Sequence, residues 1–129
     1  MTGKRSTMIG WALSGLVILF LVMDMAMKFA VLQPVIDTSA QLGWPTDSGT
    51  IRTLATILLV GTLLYAWPRT SVLGAILLTG YLGGAVATHV RVGSPLFSHD
   101  LFGVYLGVIA WGGLWFRDPR IRALIPISR

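Results

Sequence analysis

Residues 8–29 read MIGWALSGLVILFLVMDMAMKF, a run of 22 residues whose only charged side chains are Asp24 and Lys28. A helix rises about 1.5 Å per residue, so about 20 residues cross the ~30 Å hydrocarbon core of a bilayer. The run therefore predicts a first membrane-spanning helix. Lys4 and Arg5 precede it as in a signal peptide, but it is too long for a signal core and no small-residue cleavage site follows. We expect it to be retained.

The composition of the whole chain favours the same environment. The 129 residues are 54% hydrophobic and 12% charged, with a mean hydropathy of +0.76. A soluble domain carries about 25% charged residues. The net charge of +5 accompanies basic residues that flank apolar segments, which favours a role in topology and predicts no nucleic-acid partner. The absence of cysteine excludes disulfides, a thiol nucleophile, iron–sulfur and thiolate zinc sites, and cysteine-pair thiol–quinone chemistry within this chain.

Three further apolar stretches follow the first, over residues 51–67, 71–90 and 98–116. The last includes a polar first turn that begins at Ser98. Proline-containing segments separate the stretches, as expected of loops. The sequence therefore predicts an all-α integral membrane protein, a four-helix bundle that forms one domain over residues 1–129.

The longest connection, residues 32–50, contains a short amphipathic pattern. Its apolar residues fall near one face of a helix: Leu32, Val35, Ile36 and Ala40. Pro34 is acceptable in the first turn of such a helix. A short interfacial helix on the outer surface is one prediction, and an ordered loop anchored by Trp44 is the alternative.

The basic residues predict the orientation. With four spans, both termini and the loop at Arg69 share one side, which holds seven of the ten basic residues; the other side holds Lys28, Arg52 and Arg91. Basic residues accumulate in cytoplasmic segments. We therefore expect a multi-pass protein of the cell inner membrane with both termini in the cytoplasm.

The polar residues of the spans gather toward the predicted outer side. The candidate ligand-binding residues there are Asp24, Lys28, Tyr81, His89, Arg91 and His99. Ionisable residues within a membrane are costly and are functional candidates by default. A small polar chamber that opens outward is the hypothesis, above an inner two thirds that is almost pure hydrocarbon. A simple local ion pair between Asp24 and Lys28, four residues apart, is the alternative for those two residues.

Nine residues separate the two histidines in the third hairpin. His89 ends one span and His99 begins the next, so their side chains are expected at similar depth. They could supply a proton relay, a quinone hydrogen bond, or metal or haem ligands. Two histidines without a third ligand make a weak metal signature. A quinone or another lipid-soluble ligand needs only an apolar cleft with a few donors, which favours it as the candidate ligand.

Small residues recur at four-residue spacing in the last two spans. The patterns are Gly80-x-x-x-Gly84-x-x-x-Thr88 and Gly103-x-x-x-Gly107. Such spacing lets membrane helices approach closely. It predicts tight packing of the third and fourth spans within one molecule rather than a dimer interface.

Three stretches resemble the DoxX-like family of small four-helix membrane proteins: LGWP at 42–45, WPRTSVLG at 67–74 and GAVATHVRVG at 84–93. The resemblance covers roughly residues 9–116 and implies the four-helix fold. The family takes its name from a subunit of a thiosulfate:quinone oxidoreductase, and other members look like partners in membrane redox or stress complexes. Related animal proteins act as chaperones or cargo receptors. No redox motif of the family can be placed on residues of this chain.

Three functional hypotheses follow. The first is an accessory subunit of a quinone-linked membrane redox complex, with a lipid bilayer and a membrane protein as its partners. The alternative is an assembly or chaperone-like factor that contacts client helices through its glycine stripes. The third is a small membrane isomerase or oxidoreductase with a haem or metal held by His89 and His99.

Overall fold

The computed structural model describes residues 3–93 and 102–125, and within these ranges every regular element is a helix. Helices account for 86% of the described residues. In chain order they are α1 (Gly3–Phe29), α2 (Gln33–Gln41), α3 (Ser48–Ala66), α4 (Ser71–Val92), α5 (Phe102–Arg117) and α6 (Pro119–Leu124). The predicted all-helical class is confirmed over the described part of the chain.

Three helices are long and apolar enough to cross a membrane, namely α1, α3 and α4. They correspond to the first three predicted spans, and each begins or ends within a few residues of the predicted bounds. The described part of α5, at 16 residues, is shorter than a full span. The predicted start of the fourth span at Ser98 lies outside the described residues.

A short helix, α2, occupies the long connection between the first two spans. It covers Gln33–Gln41 with Pro34 in its first turn, and the helix itself contributes no buried residue. The helical interpretation of this segment is therefore confirmed. The next helix, α3, begins at an N-cap, where the Asp47 carboxylate accepts a hydrogen bond from Thr50 N at 2.9 Å. Hydrogen bonds from the Thr50 side chain and backbone hold the pKa of the Asp47 carboxyl below its usual value.

The long helices pack on one another around an apolar core. Helix α1 contacts α3 and α5, and α4 contacts the same two helices. The most deeply buried apolar side chains of this core include Val17 on α1, Leu58 on α3, Leu78 on α4 and Leu114 on α5. The core thus draws residues from all four helices.

Side-chain bonds show which segments share an end of the molecule. Ser6 and Arg122 are hydrogen-bonded to each other at 3.3 Å, so the start of α1 and α6 lie together. We call this the terminal end; it also holds the α3–α4 connection. At the opposite end, which we call the distal end, Arg52 Nε donates to Phe29 O at 3.2 Å and joins the start of α3 to the end of α1.

Glycines allow two pairs of helices to approach so closely that their backbones are in contact. A Cβ atom on Gly74 would lie 2.1 Å from the backbone nitrogen of Tyr65, so α4 is in backbone contact with α3. A Cβ atom on Gly10 would lie 2.6 Å from Gly113 O, which brings α1 against α5. These contacts are the close approaches that small residues permit in membrane helices.

The predicted third and fourth spans do pack on each other, but Gly80 and Gly84 do not contact the described part of the fourth span. No described atom lies within 4 Å of a Cβ built on either glycine, whereas Gly103 of α5 does pack against Leu82 of α4. The reason is helix rotation. At about 100° per residue, the face of α4 that holds Gly74 and Leu82 points toward α3 and α5, and Gly80 lies about 160° and Gly84 about 120° from the middle of that face.

We expect Gly74→Ala to destabilise the protein and Gly80→Ala to be tolerated. The added methyl group at position 74 meets the Tyr65 backbone, and overpacking of this kind costs about 1–3 kcal/mol. At position 80 the space is open to the described residues, and alanine is the better helix former by about 0.5–1 kcal/mol. Thermal unfolding in detergent, followed by circular dichroism, measures both. Equal midpoints for the two variants would contradict the close approach of α3 and α4.

Candidate functional site

An ion pair lies near the distal end of α1. The Lys28 ammonium donates to the Asp24 carboxylate one helical turn away. The Lys28 side chain is 18% exposed and that of Asp24 is 47% exposed. The local ion pair expected from the four-residue spacing therefore forms, and half of the Asp24 side chain remains accessible beside it.

Tyr81 of α4 lies next to this ion pair. Its hydroxyl is close enough to both Lys28 and Asp24 to interact with them electrostatically. Three of the six residues predicted for the site are thus brought together from two helices. We call Asp24, Lys28 and Tyr81 the distal cluster.

The other predicted residues have different surroundings. Arg91 donates from Nη2 to Leu42 O at 2.7 Å and lies against Gly43, which has a left-handed φ of +80°. Arg91 therefore fastens the end of α4 to the segment after α2. His89 is half-buried in the last turn of α4. His99 lies outside the described residues, so its approach to His89 stays a prediction.

The histidine-based metal hypothesis gains no further ligands from the described residues. Among them, no three side chains of the types His, Cys, Asp or Glu lie together where they could hold a metal ion. Since His99 is outside this set, ligation by His89 and His99 stays a prediction as well.

An apolar groove of about 440 Å³ runs along α3 and α4 and reaches the distal cluster. Its lining residues are Thr56, Ile57, Val60, Ile76, Leu77, Gly80 and Tyr81. We call it the α3–α4 groove. Tyr81 lines this groove and also belongs to the distal cluster. Its side chain is therefore the point at which the apolar groove adjoins the ion pair. This combination of an apolar cleft with a few convergent polar groups is typical of small-molecule sites.

A second groove, of about 330 Å³, lies between α4 and α5. Its lining includes Gly83, Gly103 and Gly107, and it ends at Trp111, whose indole Nε1 donates to Thr79 Oγ1 at 2.8 Å. The polar groups at this end are thus engaged with each other. None of the described residues that line this groove is charged, and none of them belongs to the distal cluster, whereas Tyr81 lines the α3–α4 groove.

The terminal end contains a polar network that the sequence did not predict. Arg117 of α5 donates from Nε to Ser14 Oγ at 3.1 Å, from Nη1 to Ser71 Oγ at 3.2 Å and from Nη2 to Tyr65 O at 3.2 Å. Its guanidinium carbon also lies 4.0 Å from the ring centroid of Trp11, a cation–π contact. One side chain therefore binds three other helices.

The hydroxyl groups of this network form an ordered chain. The Tyr65 hydroxyl donates to Ala110 O at 2.6 Å, so its single proton is used. The Ser14 hydroxyl, 2.8 Å away, must then donate to Tyr65 Oη, and its oxygen accepts from Arg117. Ser14 and Tyr65 are fully buried, and each has its partners in this chain. The network is thus internally satisfied and leaves little for a ligand to bind.

This network corrects the expectation that the inner part of the spans is almost pure hydrocarbon. Buried Ser14, Thr62 and Tyr65 lie in that part of the molecule. The available signal was weak: an isolated serine or tyrosine in an apolar run does not reveal its partner on another helix. Arg117 is one of the seven basic residues that predict the orientation, and that pattern does not reveal its contacts with other helices.

Comparison with protein families identifies a match over most of the chain. The model described as the DoxX-like family matches residues 12–113 of the chain. This range includes most of the segment that carried the resemblance noted from the sequence. Comparisons with curated proteins and with solved structures find no match.

We expect Arg117→Met to lower the free energy of unfolding by about 2 kcal/mol, since hydrogen bonds from a charged donor contribute about 1.5–3 kcal/mol. The matched control is Arg120→Met, because the Arg120 side chain is 76% exposed and, among the described residues, bonds only to the nearby Asp118. That variant should change stability little. Unfolding in a detergent–denaturant titration compares them, and equal effects would show that the network does not hold the helices together.

Proposed function

The chain belongs to the DoxX-like family, and we propose that it is a four-span accessory subunit of a quinone-linked redox complex in the cell inner membrane. In this proposal α5, extended by the residues before it, completes the fourth span of a four-helix bundle. Both termini lie in the cytoplasm, and the distal cluster faces the outer side. A quinone is the ligand of the α3–α4 groove.

The membrane placement is supported by the helices and by the distribution of charge. Three helices have the length and apolar composition of a span. At the terminal end, the described residues include six basic side chains and one acidic side chain, Asp118. The excess of positive charge in cytoplasmic segments then favours cytoplasmic termini.

The meeting of groove and cluster at Tyr81 is the observation that carries the ligand proposal. A quinone has an apolar ring and tail and carbonyl oxygens that accept hydrogen bonds. The α3–α4 groove offers an apolar surface for the tail. The Tyr81 hydroxyl and the Lys28 ammonium are donors for a carbonyl at the end of that groove.

The role is accessory because the chain supplies binding groups rather than electrons. It contains no cysteine, so a cysteine-based electron donor has to come from another subunit. In the proposed complex this protein holds the quinone head at Lys28 and Tyr81, and the partner reduces it.

We expect Tyr81→Phe to weaken the binding of a short-tailed benzoquinone about fivefold. The substitution removes one hydroxyl, whose hydrogen bond contributes about 1 kcal/mol, and keeps the ring in place. Tyr105→Phe is the matched control because Tyr105 is an exposed tyrosine on α5 that does not line the groove. Titration of purified protein in detergent, by quenching of tryptophan fluorescence, measures both affinities.

A second pair of variants tests the groove itself. Gly80→Leu places a side chain in the α3–α4 groove, whereas Gly84→Leu adds the same side chain outside it. Neither glycine has a described neighbour that a Cβ would meet, so both variants should fold. Only Gly80→Leu should weaken quinone binding. Unchanged affinity in Tyr81→Phe and Gly80→Leu, or no binding by the unmodified protein, would refute the ligand site.

The accessory role makes a separate prediction about purification. Isolated from its own membrane in mild detergent, the protein should retain both a quinone, identified by mass spectrometry of the extracted lipid, and a partner protein that carries a redox centre. The centre is identified by the optical spectrum and metal content of the complex. A stable partner without any redox centre would contradict the redox role.

A further inference from the structure

The two ends of the molecule differ in charge. The described basic residues of the terminal end are Lys4, Arg5, Arg69, Arg117, Arg120 and Arg122, opposed only by Asp118. At the distal end Lys28, Arg52 and Arg91 are balanced by Asp24, Asp37 and Asp47. The terminal end therefore carries a net charge of about five in the described residues, and the distal end is close to neutral.

Half of the terminal-end cations are occupied within the protein. Arg117 is held by Ser14, Ser71 and Tyr65, as described above. Arg122 donates from Nη1 to Trp115 O at 2.8 Å and to Phe116 O at 2.9 Å. Arg120 pairs with Asp118 at 2.9 Å, and its hydrogen bond holds the pKa of the Asp118 carboxyl below its usual value.

The other half is exposed. Lys4 and Arg5 lie in the first turn of α1, and Arg69 lies in the α3–α4 connection. All three are exposed, and within residues 3–93 and 102–125 none of them has a side-chain hydrogen bond or an ion pair. These three charges do not contribute to fold stability through a hydrogen bond or an ion pair with any described residue.

Exposed tryptophans accompany these cations. Trp67, two residues before Arg69, is 63% exposed, and Trp11, two turns after Lys4, is 38% exposed. Tryptophan is enriched at the level of lipid headgroups, where its ring contacts the acyl boundary and its N–H meets polar groups. The exposed cations therefore lie at the end of the molecule where aromatic side chains mark a headgroup layer.

We propose that Lys4, Arg5 and Arg69 form a surface that binds the phosphate groups of anionic phospholipids. Three unpaired cations complement the negative surface of an anionic leaflet, to which each adds about a fivefold preference. The inference rests on the proposed membrane placement and is independent of the quinone site. Replacement of the three exposed cations should leave the fold intact. The side-chain contacts of the terminal end are made by Arg117, Arg120 and Arg122, which stay unchanged.

The test uses the full chain in vesicles of phosphatidylcholine that contain phosphatidylglycerol. Electron spin resonance of spin-labelled lipids gives the relative association of the two headgroups with the protein. The unmodified protein should prefer phosphatidylglycerol by at least about fivefold, and the triple variant Lys4→Gln, Arg5→Gln, Arg69→Gln should lose most of that preference. Raised salt should weaken it as well.

The matched single variants are Arg69→Gln and Arg52→Gln, which remove the same charge from opposite ends. Only Arg69→Gln should lower the preference for phosphatidylglycerol. Equal effects of the two variants would overturn the assignment to the terminal end. No preference in the unmodified protein would overturn the lipid proposal and favour an acidic partner protein on this surface. The triple variant should still bind quinone. A quinone titration of that variant therefore distinguishes failure of the lipid proposal from failure of the quinone site.

Discussion

The guanidinium of Arg117 is the interaction on which the arrangement of the helices depends. From the end of α5 it reaches Ser14 on α1, the Tyr65 carbonyl on α3 and Ser71 on α4. Apolar side chains give little direction to helix association in lipid, because lipid tails are as apolar as the side chains. Directional hydrogen bonds and close backbone contact then specify how the helices pair. A planar guanidinium, with five N–H donors at fixed angles, suits this task better than the compact ammonium of a lysine.

The Arg117 network lies at the terminal end, and the two ends of the molecule differ in their chemistry. At the terminal end the buried hydroxyl groups donate and accept within the chain, so the interior there is complete. At the distal end Arg52 and Arg91 donate hydrogen bonds to backbone carbonyl oxygens. Asp24 pairs with Lys28 beside Tyr81, and about half of the Asp24 side chain stays exposed. Among the described residues of the spans, the accessible charged pair therefore lies at the distal end. The charges of the terminal end that remain available lie on the surface.

The sequence predicted what depends on neighbouring residues. The first three spans, the helix in the long connection and the pairing of Asp24 with Lys28 all follow from local length, periodicity or spacing. The contacts of Arg117 could not be predicted because they join positions far apart in the chain, whose approach depends on how each helix is rotated. For the same reason, the sequence did not show that Gly80 and Gly84 lie away from the contact between α4 and α5. A basic residue at the end of a span is also ambiguous, since topology alone explains its presence.

The rotation of α4 connects these observations to the candidate site. Gly74 allows α4 to lie at backbone distance from Tyr65, and this contact fixes which side of α4 faces α3. Gly80 then points away from the core, and its missing side chain leaves part of the α3–α4 groove open. The same rotation places Tyr81 in the lining of that groove, where its hydroxyl interacts electrostatically with Lys28 and Asp24. Two glycines in one helix thus serve opposite purposes: one closes the contact that positions the helix, and the other keeps free the space that the positioned helix creates.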